Sequence, residues 1–187
     1  MKGKITMITG GARSGKSSFA ENLAQNAEKP VAYLATAIPL DDGMEDRIQK
    51  HRASRPREWI TYEGYRDLHK VVETIAGHHE IVLLDCMTIM ITNLLFEDPE
   101  VNWDTIAHER IDGMEEWIRG QVMEFLASLR SHGLWGIIVT NEVGMGIVPE
   151  SRLSRIFRDI AGRINQMIAC EADEVYFTVS GIPMKLK

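Results

Sequence analysis

Apolar residues occur along this chain in short dense runs, and between the runs they recur at helical spacing. Lys4-Ile5-Thr6-Met7-Ile8-Thr9, Val31-Ala32-Tyr33-Leu34-Ala35, Ile81-Val82-Leu83-Leu84-Asp85, Gly136-Ile137-Ile138-Val139-Thr140 and Glu174-Val175-Tyr176-Phe177-Thr178-Val179 read as strands, with Trp59-Ile60-Thr61-Tyr62 as a shorter candidate. Near-continuous apolar runs are what a parallel strand covered on both faces requires. The intervening segments Ser17 to Ala27, Leu68 to Ala76, Met87 to Phe96, Trp103 to Arg130 and Ser151 to Glu171 read as helices. In the last of these, Leu153, Ile156, Phe157, Ile160, Ile164, Met167 and Ile168 keep the 3.6-residue period closely. The long segment before it carries a stripe of Ile106, Ile111, Met114, Ile118, Val122, Phe125, Leu126 and Leu129. Gly113 and Gly120 weaken that segment, so it reads as one helix or as two shorter pieces.

Met44 to about Arg52 has a different character. Glu45, Asp46, Arg47, Gln49, Lys50, His51 and Arg52 leave Met44 and Ile48 as its clear apolar contacts, so a core would hold this helix weakly. Arg55-Pro56 marks its end. Strands alternating with helices predict an α/β fold, a mostly parallel sheet with helices on both faces and ligands at the carboxyl ends of the strands.

The turn between the first strand and the first helix sharpens that prediction. Gly10-Gly11-Ala12-Arg13-Ser14-Gly15-Lys16-Ser17 fits G-x-x-x-x-G-K-[ST], the phosphate-binding loop. Glycines let the backbone approach a phosphate, and the helix start aims N–H groups and a positive dipole end at one point. In this pattern Lys16 reaches the β/γ-phosphates and the Ser17 hydroxyl holds Mg²⁺. The fold expected is therefore P-loop NTPase-like, as a single domain over residues 1–187.

Composition narrows the function classes. A chain of 187 residues suits one domain with a full core. Its formal net charge of −6 argues against a nucleic-acid-coating or anionic-membrane surface. There is no run of about 18 apolar residues to span a membrane. Cys86 and Cys170 lack metal-type spacing and read as reduced, buried thiols of a cytoplasmic protein.

Two further positions could carry chemistry. Asp85 ends an apolar strand, where phosphate-loop enzymes place the second acid of their Mg²⁺ site; its competing assignment is N-cap of the following helix. His51 lies on the polar helix beside Arg52 and near Arg55. A neutral imidazole, with a pKa of about 6.5, is a capable nucleophile toward phosphorus, and the arginines would steady the phosphates under attack. A merely solvated face is the other assignment. His69, His78, His79, His108 and His132 fall on polar faces or in turns and are given no role. Asn141 to Pro149 is too apolar for a free linker, with Val143, Met145, Ile147 and Val148 among glycines. It reads as a cover for a large apolar ligand, a subunit contact, or packing under the sheet edge. The chain lacks the Asn-Lys-x-Asp of GTPase switches, since Thr140-Asn141-Glu142-Val143 stands after the relevant strand.

Several segments together resemble one family. They are the glycine loop, Arg47-Ile48-Gln49-Lys50-His51-Arg52 leading to Arg55-Pro56, Asp85-Cys86-Met87-Thr88 with Thr92-Asn93-Leu94-Leu95, and Thr140-Asn141-Glu142-Val143-Gly144-Met145-Gly146-Ile147-Val148-Pro149. Phe157-Arg158-Asp159-Ile160-Ala161-Gly162-Arg163 and Val179-Ser180-Gly181-Ile182-Pro183 extend the likeness. The family is the bifunctional adenosylcobinamide kinase / adenosylcobinamide-phosphate guanylyltransferase of cobalamin biosynthesis.

The resemblance implies two reactions. One phosphorylates adenosylcobinamide with a nucleoside triphosphate, ATP or GTP. The other transfers GMP from GTP to adenosylcobinamide phosphate through a guanylylated histidine, for which His51 stands in the matching position. It further implies nucleotide contacts at Gly10, Gly11, Ala12, Arg13, Ser14, Gly15, Lys16 and Ser17, at Ala35, Thr36 and Ala37, at Arg52, Ala53, Ser54 and Arg55, and at Glu63 and Asp85. Mg²⁺ held by Ser17 and Asp85, and a homotrimeric assembly, belong to the same expectation. Two departures stand out: Asp85 occupies a position where members often have Glu, and Lys50 one where some have a second histidine. The runner-up is a phosphate-loop kinase of another small metabolite, with no histidine step.

Overall fold

The computed structural model describes residues 3–38 and 55–187. The expected helix from Met44 to Arg52 lies outside the described residues. Among those described, seven strands form one sheet in the order β3-β2-β4-β5-β1-β6-β7. They are β1 (Lys4–Gly10), β2 (Val31–Ala35), β3 (Ile60–Glu63), β4 (Ile81–Asp85), β5 (Trp135–Val139), β6 (Glu174–Val179) and β7 (Ile182–Lys185). Six of them run parallel, and β7 pairs antiparallel with β6. The helices are α1 (Lys16–Asn26), α2 (Leu68–Ile75), α3 (Met87–Leu95), α4 (His108–Ser131) and α5 (Arg152–Glu171). The expected α/β sheet with helices on both faces is the observed one.

The two faces are unequally covered. On one, α1 lays Ala20 and Ala24 against Ile8, Val31, Tyr33, Ile81, Leu83, Ile137 and Val139. On the other, α2 to α5 pack the alternate residues, among them Ile5, Met7, Leu34, Val82, Leu84 and Ile138, into the larger core. Each fully buried aliphatic side chain of this kind stabilises the fold by about 1.5–3 kcal/mol.

α4 is a single 24-residue helix. A Cβ at Gly113 or Gly120 would meet nothing within 4 Å, so both glycines face open space and the buried stripe from Ile111 to Leu129 carries the helix through. In α5 the buried residues run from its middle onward, at Ile160, Ala161, Ile164, Asn165 and Ile168, with Ser151 capping the start through a hydrogen bond from the Ser154 N–H. Cys170, expected to be buried, is exposed, because it falls off the apolar face of α5. His79, read as a turn residue without a role, is buried at 7% exposure and shares a hydrogen bond with the Tyr62 hydroxyl.

β7 is an element the apolar pattern did not announce. All four of its residues are exposed, and Pro183 is tolerated because the strand lies at the sheet edge. Ser180 (φ 49°) and Gly181 (φ 83°) make the two-residue turn into it, with left-handed backbone at both positions. Glu174 clasps the three strands at this edge, receiving Lys4 of β1 at 2.7 Å and Lys185 of β7 at 2.8 Å.

That clasp makes a pH prediction. The hydrogen bond from Lys185, and then the one from Lys4, hold the Glu174 carboxyl below its ordinary value of 4.5. A carboxyl depressed in the folded state contributes stability above its unfolded pKa and loses it as pH falls through the folded value. The two lysines are about half exposed, so solvent limits the contribution to about 0.5–1 kcal/mol. Urea titrations should show Glu174→Gln less stable than the parent chain by that amount at pH 7. The gap should close as pH drops below 4.5.

Candidate nucleotide site

The parallel register brings the carboxyl ends of the strands to one edge. Ala35 pairs with Glu63 on one side and Asp85 on the other, Asp85 pairs with Val139, Ile8 with Val139, and Gly10 with Thr178. The glycine loop leaves β1 at this edge and enters α1.

Two glycines are required by close approach. A Cβ on Gly10 (φ 152°) would lie 2.4 Å from the Thr178 carbonyl oxygen, and one on Gly15 (φ 95°) would lie 3.0 Å from Gly181 Cα. The Gly181 N–H donates to the Ser14 carbonyl at 2.8 Å, so the β6–β7 turn buttresses the loop from behind. Gly15 is the N-cap of α1, and no side chain among the described residues caps that helix. The first amides of a helix have no acceptor within it, and an anion is their natural partner. The Ser14 Oγ is buried and without a hydrogen-bond partner among the described residues, which also fits a phosphate oxygen. Lys16 is 6% exposed and its Nζ donates to the Gly11 carbonyl at 2.6 Å, folded back across the loop. Ala12 and Arg13 are exposed at the loop's crest.

Asp85 does not cap α3, whose N-cap is Cys86. Its carboxylate is instead fixed by the Tyr33 hydroxyl, which donates to Oδ2 at 2.8 Å. The Arg55 guanidinium lies 3.3 Å above the centre of the Tyr33 ring, and its Nε and Nη1 are buried without hydrogen-bond partners among the described residues. Glu21, one turn along α1 from Ser17, faces the same group. Burial raises the pKa of its carboxyl, the Arg55 charge offsets part of the rise, and Asp85 adds to it. Burial, with the neighbouring Asp85 second, likewise raises the Tyr33 pKa, which keeps its hydroxyl a donor.

Thr36 is 1% exposed, and its hydroxyl serves structure. It donates to the Cys86 carbonyl at 2.8 Å and accepts from the Cys86 N–H at 2.9 Å, while the Asn93 side chain donates to the Thr36 carbonyl at 2.8 Å. β2 is thereby tied to the β4–α3 junction. Ala35 and Ala37 flank it at the same edge, and Glu63 ends β3 beside Ala35.

The Asn141–Pro149 loop starts beside the glycine loop, where the Glu142 N–H donates to the Gly10 carbonyl at 2.9 Å. Thr88 accepts from the Asn141 N–H at 2.6 Å, and Asn165 donates to the Asn141 carbonyl at 3.1 Å. At the other end Arg155 donates to the carbonyls of Pro149 and Glu150. Between these clamps Met145, Ile147 and Val148 are 78%, 94% and 66% exposed, so packing under the sheet edge is not what this loop does in the described chain.

Lys16, Ser17, Asp85, Arg55 and the glycine loop thus converge on one edge. His51, Arg52, Ala53 and Ser54 lie outside the described residues. Tyr33, Glu21 and the Ser180–Gly181 turn were not among the sequence candidates. The Ser-Gly pair between Val179 and Ile182 is a turn signal that points to the last; Tyr33 and Glu21 carry no local signal. Among the described residues no cluster of three or more His, Cys, Asp or Glu could hold a metal ion. Ser17 and Asp85 offer a hydroxyl and a carboxylate, hard oxygen donors of the kind Mg²⁺ takes when water and phosphates complete its shell.

A phosphate-loop sequence opening a helix at the carboxyl edge of a parallel sheet, with an acid ending another strand at that edge, defines an α/β protein of the P-loop-like type. The chain belongs to the cobinamide kinase / cobinamide phosphate guanyltransferase family, whose model matches residues 6–186. Its relatives include the bifunctional adenosylcobalamin biosynthesis protein CobU of Escherichia coli (strain K12), 46% identical over 188 residues, covering 98% of this chain and 99% of that protein. The protein of the same description from Salmonella typhimurium is 47% identical with the same coverage. The bifunctional adenosylcobalamin biosynthesis protein CobP of Pseudomonas aeruginosa is 41% identical over 182 residues, covering 97% of this chain and 96% of its own. Family membership makes the chain a transferase.

The two thiols supply a check on the site's geometry. Burial, and then the Asp85 charge, push the Cys86 thiol up to about 11, whereas Cys170 is exposed. At pH 8 only about one Cys86 in a thousand would be thiolate, the reactive form. Iodoacetamide at pH 8, read by peptide mass spectrometry, should label Cys170 rapidly and Cys86 slowly. Cys86 labelling should climb as pH approaches 11.

Proposed function

We propose that this chain phosphorylates adenosylcobinamide with ATP or GTP and then transfers GMP from GTP to the resulting phosphate, giving adenosylcobinamide-GDP and pyrophosphate. The observation that supports it most is the family match across residues 6–186, laid over a glycine loop, Lys16 and Asp85 gathered at one sheet edge. The kinase step moves a γ-phosphoryl group to a hydroxyl of the corrinoid side chain. In it the loop amides and Lys16 neutralise the phosphates and hold them in line, and positioning of this kind is most of what phosphoryl transfer asks of a protein.

The second step runs through His51. A ring nitrogen attacks the α-phosphorus of GTP, an N–P bond forms, and the bond to the β-phosphate oxygen breaks to release pyrophosphate. An oxygen of adenosylcobinamide phosphate then attacks the same phosphorus, the N–P bond breaks, and the imidazole is regenerated. Splitting one transfer into two displacements is the advantage of a covalent route. Arg52 and Arg55 follow His51 in sequence and supply cations for the phosphates, with Ala53, Ser54, Ala35, Thr36, Ala37 and Glu63 as further nucleotide contacts. Ser17 and Asp85 hold Mg²⁺, which when bound offsets phosphate charge.

The decisive experiment is incubation with α-labelled GTP and Mg²⁺. Acid-labile, alkali-stable label should appear on the protein and be absent in His51→Ala, while His51→Ala keeps its kinase activity. Lys16→Ala should lower both steps, by about 10²–10³-fold in kcat. A protein that never takes up label would sink the guanylyltransferase assignment and leave a kinase of the runner-up type.

The setting is the cytoplasm, in keeping with the absence, among the described residues, of any helix long and apolar enough to cross a membrane. The working assembly is a homotrimer, which would give the exposed Met145, Ile147 and Val148 a use at a subunit contact or over the corrinoid. Light scattering on the purified chain should then report about three times the 21.1 kDa chain mass; a value near one chain mass would refute the trimer.

A further inference from the structure

We propose that Tyr33 is the positioning residue for the Asp85 carboxylate, holding one oxygen so that the other is presented to the nucleotide-bound divalent cation. The inference rests on Asp85 being a cation ligand, as proposed above.

The geometry is specific. Tyr33 and Asp85 sit on adjacent parallel strands, with Tyr33 opposite Leu83 and Ala35 opposite Asp85, so the tyrosine reaches its partner diagonally along the sheet. Residues 33, 81 and 83 face the α1 side together with the loop's helix. Tyr33 is 1% exposed, and its ring is held by the α1-side core and by the Arg55 guanidinium 3.3 Å above the ring centre. A ring so confined fixes where its hydroxyl ends, and that hydroxyl donates to Asp85 Oδ2 at 2.8 Å. A phenol donates one hydrogen, and a carboxylate has a second oxygen with its lone pairs intact. With Oδ2 pinned, the carboxylate plane is set before any cation arrives.

A short aspartate at the end of a strand has few other means of orientation. Among the described residues no helix cap engages it, since Cys86 is the N-cap of α3. Hydrogen-bond partners of metal-binding carboxylates typically change metal affinity by about 10–100-fold when removed.

The test uses the full chain with Mn²⁺ as the probe, in the presence of a non-hydrolysable GTP analogue, and reads free Mn²⁺ by electron paramagnetic resonance. Tyr33→Phe keeps the ring and its contact with Arg55 while removing the donor. It should bind Mn²⁺ about tenfold more weakly, with affinity for the metal-free nucleotide in EDTA unchanged. Asp85→Asn should also weaken Mn²⁺ binding, and adding Tyr33→Phe to it should cost nothing further, because the two act through one carboxylate.

Parent-like Mn²⁺ affinity in Tyr33→Phe, with Asp85→Asn impaired, overturns the positioning role alone. That holds also if the melting temperature drops, which is the result a purely structural hydroxyl would give. A parallel loss of metal-free nucleotide affinity overturns it as well, since Tyr33 would then act on the nucleotide. Parent-like affinity in Asp85→Asn removes the cation from Asp85 and the proposal with it.

Discussion

A loop backbone packed hard against neighbouring main chain can carry no side chain where it is most crowded, and that constraint organises this end of the molecule. Gly10 satisfies it against the Thr178 carbonyl and Gly15 against Gly181, both at φ values that other residues rarely adopt. Neither contact exists unless β6 lies beside β1 and turns at Ser180–Gly181. The Gly181 N–H to the Ser14 carbonyl makes the dependence mutual, because the loop's shape and the edge hairpin's position fix each other. The loop is therefore not an independent motif carried on a sheet. It is shaped by the neighbour that the sheet order supplies.

Much of the sheet was legible in the sequence because its strands are buried on both faces and announce themselves as apolar runs. β4 begins and ends where its run does, at Ile81 and Asp85. What escaped was the element with the opposite character. Ile182–Lys185 is exposed throughout and contains a proline, so neither burial nor propensity marks it, and it exists as a strand because β6 offers a free edge. Gly113 and Gly120 left α4 open to division on propensity, at about 1 kcal/mol each. Tertiary packing of Ile118, Val122 and Phe125, all fully buried, outweighs that cost.

The candidate site divides in the same way. Gly10 to Ser17 and Asp85 were legible because a contiguous pattern and a strand end carry them. Tyr33, Glu21 and Arg55 come together across β2, α1 and the segment before β3, and no spacing in one chain encodes such a meeting. Thr36 shows the reverse. It stood as a ligand contact by resemblance, and the structure commits its hydroxyl to the Cys86 backbone. Cys170 was misplaced because a residue's type says less about burial than the face of the element it occupies. At His51 the residues left a nucleophile and a solvated face both open, since a polar helix with one histidine has no periodic signature to separate them, and the resemblance decided between them.

The candidate site gathers on the thinner side of the sheet, and strand alternation explains why. Ile81 and Leu83 face α1, whereas Val82 and Leu84 face the core built by α2 to α5. Asp85 continues the first set, so its carboxylate emerges on the side where one short helix begins at the glycine loop and its amides face outward. A carboxylate one position back on β4, at Leu84, would point into the side lined by Met87, Met90 and Ile91, where an unpaired charge would carry a desolvation cost of several kcal/mol. One residue of register thus separates a site acid from a buried liability. The Tyr33 hydroxyl, two residues back on the adjacent strand and on the same face, follows from that same parity.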